Sequence, residues 1–416
     1  MISDHLRCRR RLSSSSVPEE IAELIIAKVP CIKTIFRCTC VCKSWCAFIN
    51  SAPFVKSLTS RIATNNNEFS KLLLCKFKFD KSFIPNYGND DCMKAFQDTS
   101  HAAAGLRGPN FALHVDGEDF KENCKLVFPR RNLQLIDACN GLICYNTCDD
   151  QDCLYLWNPT IQREKKISAP IPNLNNNIIG DYDVVFKLWF DNKVNDLRIL
   201  RIACTDENCT VEVFSLTSNS WMLITEDAPV STAFFNRNTL ACVNGIFYWP
   251  VLREDGNWIL ISLDIENGVF RERLTSWTAK IIYLTPSHND ASLVILGYGD
   301  KDDFHLNKRL DCCVFQVYNY SLDKFHKLDI NHAQMFYPLG VRNNDELLLK
   351  HIYSLQIVSY SVESGKFRKS YPATSPKPLT MIPFVQTLAL LNDTDATRIQ
   401  PPPNILQKRV NFTNLK

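Results

Sequence analysis

The chain has 416 residues, 45% of them hydrophobic and 22% charged, with a formal net charge of +3. A balance so near neutral gives bulk electrostatics no hold on nucleic acid or an anionic membrane surface, and no apolar run approaches the roughly 18–20 residues that cross a bilayer. The length fits one large domain plus a small one, or two to three ordinary domains.

Residues 1–16 read as a disordered basic, Ser-rich tail. Arg7, Arg9, Arg10 and Arg11 are followed by Ser13 to Ser16 with no apolar core, so a secretory leader is not expected. An organelle-targeting signal is the alternative, weakened by Asp4 and the pair Glu19–Glu20. The expected location is cytoplasm and/or nucleus, where disulfides are not maintained. The 18 cysteines are then expected to act as small buried hydrophobes, as at Cys38, Cys40, Cys42, Cys139 and Cys144. Their spacings lack the paired CxxC or HxxxH arrangement of zinc sites, so no metal is expected.

Residues 17–62 form a helical module. Pro18 suits the first turn of a helix, and Glu19 and Glu20 favour the positive end of its dipole. Ile21, Leu24, Ile25 and Val29 fall on one face, and Pro30 ends the helix. A second helix carries Ile32, Ile35 and Phe36. A third carries Val41, Trp45, Phe48 and Ile49, and a fourth begins at Pro53 with Phe54, Leu58 and Ile62 aligned. Four short helices make too small a core to stand alone comfortably, so the module leans on a neighbour or partner.

Its words resemble the F-box: Val17-Pro18-Glu19-Glu20-Ile21, then Val29-Pro30, then Arg37…Val41-Cys42-Lys43-Ser44-Trp45, then Pro53-Phe54. Val17 and Val29 stand where Leu is usual, and Lys28 where Arg is commoner. The resemblance implies docking on a Skp1-like adaptor that bridges to a cullin–RING ligase. It carries the contact to Pro18, Ile21, Ile25, Val29, Pro30, Val41, Cys42, Trp45 and Phe54, some of which must hold the module's own core.

After the polar break at Thr64 to Asn67 the apolar period changes from 3.6 to 2. Five hairpins recur, at Leu154–Ile167, Val211–Trp221, Ile259–Phe270, Phe315–Phe325 and Ile357–Phe367, with Ser218-Asn219, Asn267-Gly268, Asp323-Lys324 and Ser364-Gly365 in their turns. A strand precedes each, and the markers Ile143, Leu200, Phe247, Ile295 and Leu348 step by 57, 47, 48 and 53 residues. A period near 50 suits propeller blades of the kelch size, and a sandwich of the same strands also fits. Strand candidates at Lys71–Phe79 and Met381–Leu391 are placed to combine into a closing blade. Trp157, Trp221 and Trp249 are expected at matching blade-core positions.

Asp137-Ala138-Cys139-Asn140-Gly141-Leu142, Leu156-Trp157-Asn158-Pro159-Thr160, Val211-Glu212-Val213-Phe214-Ser215-Leu216 and Asn244-Gly245-Ile246-Phe247-Tyr248-Trp249 resemble the F-box-associated domain of plants. Residues 86–131 carry little of that pattern, as a divergent loop or first blade would. The expected architecture is α+β multidomain. A small all-α F-box (17–62) precedes an all-β propeller-like domain of about five to seven blades (63–395), and a disordered tail (396–416) opens at Pro401-Pro402-Pro403.

Catalytic signatures are missing. The eight histidines are scattered, and no HExxH, GxSxG, P-loop or GxGxxG occurs. No cofactor is expected. The resemblance implies the substrate-recognition subunit of an SCF-type (Skp1–cullin–F-box) E3 ubiquitin ligase, non-catalytic itself, with a protein target held by variable loops such as Asn173–Asp183 and Asp300–Arg309. Alternatives are an F-box protein outside such a ligase, or a propeller that binds a carbohydrate or small molecule.

Overall fold

The computed structural model describes residues 18–51, 53–55, 57–58, 61, 70–79, 106–115, 120, 122–130, 133–147, 150–169, 183–204, 209–226, 228, 240–252, 258–277, 280–286, 292–298, 313–319, 324–328, 336–342, 346–351, 356–361, 364–372 and 379–399. The N-terminal tail and the loop at 300–309 lie outside them, as does all but the end of the 173–183 loop. The chain divides into two compact units, residues 1–68 and 69–416.

The first unit holds α1 (Glu19–Lys28), α2 (Ile32–Cys38) and α3 (Lys43–Ile49), then helical turns at 53–55 and 57–58. Pro18 is the N-cap of α1, and its carbonyl accepts from the N–H groups of Ile21 and Ala22 at 3.0 Å. Val29 turns extended, as the residue before Pro30 must. The Arg61 guanidinium then reaches back, donating to the carbonyls of Ala27 and of Val29 (2.8 Å). It satisfies acceptors that the helix end leaves without intrahelical donors. The core is Ala22, Ile26, Ile32, Ile35, Ile49, Phe54 and Leu58. Ala22 and Ile26 point inward, while Ile21, Leu24 and Ile25 point to solvent.

The second unit is a β-propeller of antiparallel sheets. The first combines β1 (Ser70–Phe79), β2 (Leu106–Val115) and β3 (Glu122–Leu126) with a strand from the far end of the chain. The second holds β4 (Leu133–Cys139), β5 (Leu142–Thr147), β6 (Asp150–Asn158) and β7 (Arg163–Ser168). The third holds β8 (Asp183–Asp191), β9 (Asp196–Cys204), β10 (Cys209–Ser215) and β11 (Ser220–Thr225). The fourth is β12 (Ala241–Val243), β13 (Ile246–Leu252), β14 (Trp258–Asp264) and β15 (Val269–Trp277). The fifth is β16 (Lys280–Pro286), β17 (Ser292–Tyr298), β18 (Cys313–Asn319) and β19 (Lys324–Leu328). The sixth is β20 (Phe336–Val341), β21 (Glu346–His351), β22 (Gln356–Ser361) and β23 (Lys366–Pro372), and β24 (Leu379–Val385) and β25 (Thr397–Arg398) follow.

Strand β24 pairs with β1, so the two ends of the domain close one sheet, with Leu73 opposite Ile382 and Leu74 opposite Met381. The strands β24, β4, β8, β12, β16 and β20 neighbour one another in a closed ring. Among the described side chains, the first four sheets and the sixth pack face to face with a neighbouring sheet rather than as two sheets of a sandwich. Phe111, Phe128, Tyr145, Trp157 and Phe384 fill the space between the first and second sheets. Leu200, Val213, Phe247, Trp249 and Ile261 fill that between the third and fourth.

The five expected hairpins are the third and fourth strands of the second to sixth sheets, and the marker strands are β5, β9, β13, β17 and β21. Asn140–Gly141 and Asn244–Gly245 are two-residue turns with positive φ at both positions, which join the first strand to the second in two of the sheets. The divergent stretch 86–131 supplies β2 and β3. The three tryptophans, however, do not occupy matching positions. Trp157 lies on a third strand, Trp221 on a fourth and Trp249 on a second, and only Trp157 and Trp249 are fully buried.

Beyond β24 the chain forms a strap across the second sheet and ends as β25 on the edge of β7, pairing Thr397 with Glu164 and Arg398 with Arg163. The tail expected from residue 396 is therefore ordered through Ile399, whose N–H donates to the Gln162 carbonyl at 3.0 Å. Asn158 Nδ2 donates to the carbonyls of Thr387 (3.1 Å) and Ala389 (2.8 Å). Lys165 Nζ meets Asp393 Oδ2 at 2.8 Å, and Leu390 and Ala396 join the core between the second and third sheets.

The cysteines divide. Cys144 and Cys153 are buried and Cys139 is half-buried, but Cys40 and Cys42 are exposed, contrary to expectation. Burial pushes the Cys139 thiol up to about 12. Cys204 and Cys209 stand opposite each other across β9 and β10 with Cα atoms 4.1 Å apart and form a disulfide, another departure from the sequence reading.

Burial also lowers the Lys350 ammonium on β21, to about 8. Its charged form is therefore disfavoured in the folded state, and the unfolded chain binds more protons between about pH 8 and 10.5. The Lys350 contribution to stability is expected to rise with pH across that window, by at most about 1.4 kcal/mol per pH unit, while the raised Cys139 thiol acts in the opposite sense above about pH 9. Denaturant melts at pH 8 and 10 should therefore show the wild type gaining on Lys350→Met as the pH is raised.

Candidate docking face of the helical module

The residues expected to meet a partner fall into three groups. Ile21 is 48% exposed, Ile25 56% and Val41 62%, and Pro18, Pro30 and Cys42 are also exposed. Val29 and Trp45 are half-buried. Phe54 is only 5% exposed and packs against the tilted Phe48 ring at 4.7 Å between centroids, so it belongs to the module's own core. Sequence reasoning left Leu24, the most exposed large apolar side chain of α1 at 62%, out of the docking residues. Its signal was present, because residues i, i+3 and i+4 lie side by side on a helix, and Ile21, Leu24 and Ile25 make one apolar patch.

Large apolar side chains at such exposure, on a module whose described core has seven residues, are the kind of patch that marks interaction surfaces. At the start of α3 the Cys42 thiol is held below the usual cysteine range. The chief causes are a hydrogen bond shared with Ser44 Oγ (3.3 Å) and another from the Trp45 backbone N–H. The Glu19 carboxylate acts weakly in the opposite sense, so the first turns of α1 and α3 are within electrostatic reach of each other. Among the described residues no group of three or more His, Cys, Asp or Glu is arranged to hold a metal.

Residues 14–57 match the family model of the F-box domain, and residues 117–279 that of the F-box associated beta propeller domain. The chain carries an F-box followed by an F-box-associated propeller. The F-box match takes in α1 to α3 and the turns beyond, and the propeller match spans the second to fourth sheets. Curated relatives agree. F-box/kelch-repeat protein At3g23880 of Arabidopsis thaliana is 23% identical over 64% of this chain and 66% of its own length. F-box protein At5g49610 of the same plant is 22% identical over 67% and 72%. Putative F-box protein At3g17480 is 22% identical over 78% and 81%. The chain thus spans just under two thirds of the first of these. Among solved structures, a chain of a nidogen/laminin complex superposes at a TM-score of 0.42 with 10% identity, covering 76% of this chain and 99% of that one, too low to argue from.

Proposed function

We propose that this protein is the substrate-recognition subunit of an SCF-type E3 ubiquitin ligase, working in cytoplasm and/or nucleus. The F-box docks a Skp1-like adaptor through Ile21, Leu24, Ile25 and Val41, with Pro18, Pro30, Cys42 and the half-buried Val29 and Trp45 around them. The propeller, read as six kelch-like blades, captures a target protein. The observation that carries this reading is the exposed apolar patch of α1 within a stretch that matches the F-box. Burying three such side chains supplies about 1.5–3 kcal/mol each, enough to anchor an interface. The adaptor role is one of proximity. It holds a target lysine near a ubiquitin-charged enzyme bound elsewhere, and no side chain of this chain need react.

The test is pull-down of a panel of Skp1-like adaptors by the intact protein. Leu24→Asp and Ile25→Asp should each weaken capture by about a hundredfold or more, since each puts a charge into an apolar contact. Both positions face solvent, so the helical circular dichroism signal should be unchanged. Deleting residues 1–64 should abolish capture. If the folded, intact chain captures none of the panel, the ligase reading falls.

A further inference from the structure

Cys204, at the end of β9, and Cys209, at the start of β10, are joined by a disulfide and lie five positions apart in sequence. They stand opposite each other in the ladder. Cys204 is 1% and Cys209 4% exposed, within the core between the third and fourth sheets that also holds Val211, Ala228 and Leu240.

A disulfide strengthens a fold most where it closes a long stretch of chain, because it then removes most freedom from the unfolded state. This one closes a very short stretch, and seven residue pairs between β9 and β10 already hold its ends together. Its contribution to folding is small for a disulfide. What it does fix is a junction. The Cys209 carbonyl accepts from the Ala228 N–H at 2.9 Å, so the end of β9, the start of β10 and the chain just past β11 meet at this one residue. In cytoplasm and nucleus, moreover, thiol pools keep cysteines reduced, and a disulfide found there is usually transient or redox-sensing.

We infer that the Cys204–Cys209 pair is a redox latch on the third sheet, closed as a disulfide under oxidising conditions and open as two thiols in a reducing pool. This rests on the reading above that the chain works in cytoplasm and/or nucleus. Opening consumes two glutathione thiols. The first, as thiolate, attacks one cystine sulfur and forms a mixed disulfide; the second releases glutathione disulfide. Two electrons pass from glutathione to the cystine, and two protons end on the Cys204 and Cys209 thiols. Closing is the reverse, with glutathione disulfide as the oxidant. Both sulfurs are buried, so exchange in either direction passes through a local opening of this end of the sheet.

The full-length protein is equilibrated in glutathione buffers of graded composition, quenched in acid, alkylated and read at Cys204 and Cys209 by mass spectrometry. Lowering the ratio of squared glutathione to glutathione disulfide about a hundredfold should carry the pair from about nine-tenths thiol to about nine-tenths bonded. The thiol form should be the majority in the buffer matched to reducing cytosol. Amide hydrogen exchange of the two forms is then compared. Peptides carrying Cys204, Cys209 and Ala228 should exchange at least about tenfold faster in the thiol form, while those of β5 and β6 stay unchanged. Cys204→Ala should match the thiol form at Ala228 in every buffer. A bond that resists the most reducing buffer overturns the latch in favour of a fixed staple. The latch is also overturned if the bond never forms in the most oxidising buffer, or if Ala228 exchanges alike in both forms. Capture of the Skp1-like adaptor should be equal for both forms, so failure of the ligase reading and failure of the latch register in separate measurements.

Discussion

Truncation after Val385 is expected to leave the propeller largely unfolded or aggregated, whereas truncation after Ile399 should leave Tm unchanged. The shorter chain keeps β24 and so keeps its closing sheet. It loses the strap, and with it the burial of Leu388, Leu390 and Ala396 and the partners of Asn158, Arg163 and Lys165. Lys165 is only 3% exposed, and truncation removes both carboxylates that it meets, Asp393 and Asp395. Losing the burial of the two leucines costs about 1.5–3 kcal/mol each, and losing the hydrogen bonds to Asn158, Arg163 and Lys165 about 0.5–1.5 kcal/mol each. Such a total is comparable with the whole stability of a domain, about 5–15 kcal/mol. Gly141→Val probes the same contact from the other side. Gly141 has φ +75°, and a Cβ there would stand 2.3 Å from Thr387 Oγ1 and 2.8 Å from the Val385 carbonyl. The variant must push the strap off its seat. Thermal melts and limited proteolysis of Gly141→Val should show early cleavage between residues 386 and 399; resistance equal to wild type would mean that the strap is not held as described.

Glu164→Ala is expected to lower stability by about 2–3 kcal/mol, and Glu164→Gln by clearly less. Glu164 is 3% exposed, and its carboxylate accepts from Arg130 Nε (3.1 Å), from the Arg130 terminal nitrogen (2.7 Å) and from the Tyr145 hydroxyl. The Arg130 guanidinium lies 4.1 Å above the Tyr155 ring, which stacks on Tyr145 at 5.5 Å. Burial and the neighbouring carboxylate push the Tyr145 phenol well up, so it remains a donor at any pH the fold survives. Alanine leaves this donor facing an empty space between the first and second sheets. Glutamine keeps one acceptor oxygen for it. The partial exposure of Arg130, at 42%, keeps the cost below that of a fully buried pair. Denaturant melts that find the alanine and glutamine variants equal would show that the hydrogen bonds contribute little.

Much of the propeller was legible because its hairpins are local. Ile143, Leu200, Phe247, Ile295 and Leu348 mark second strands, and each following hairpin carries its own turn residues, as at Asn219, Gly268 and Gly365 with their positive φ. The innermost strands were harder. β12 has three residues, too few for a period to show, and β8 follows a long connection without a hairpin signal. In the F-box the apolar period located α1 but could not say which of its two apolar stripes is buried. Ile21, Leu24, Ile25 and Val29 and the pair Ala22 and Ile26 are both apolar stripes, and hydropathy cannot tell a stripe that meets the module's own core from one that awaits a partner. Trp45 and Phe54 were equally ambiguous until burial separated them.

By itself the sequence determined the order of the parts, the helical and strand periods, the turn chemistry and the apolar words of the F-box. These depend on a few neighbouring residues and on backbone preferences that act locally. Only the tertiary structure decided that β24 returns to β1, that Asn158 and Gly141 receive a strap from more than two hundred residues away, and which apolar face of α1 is buried. Such outcomes depend on which distant surfaces exclude water together, and no local pattern records that choice.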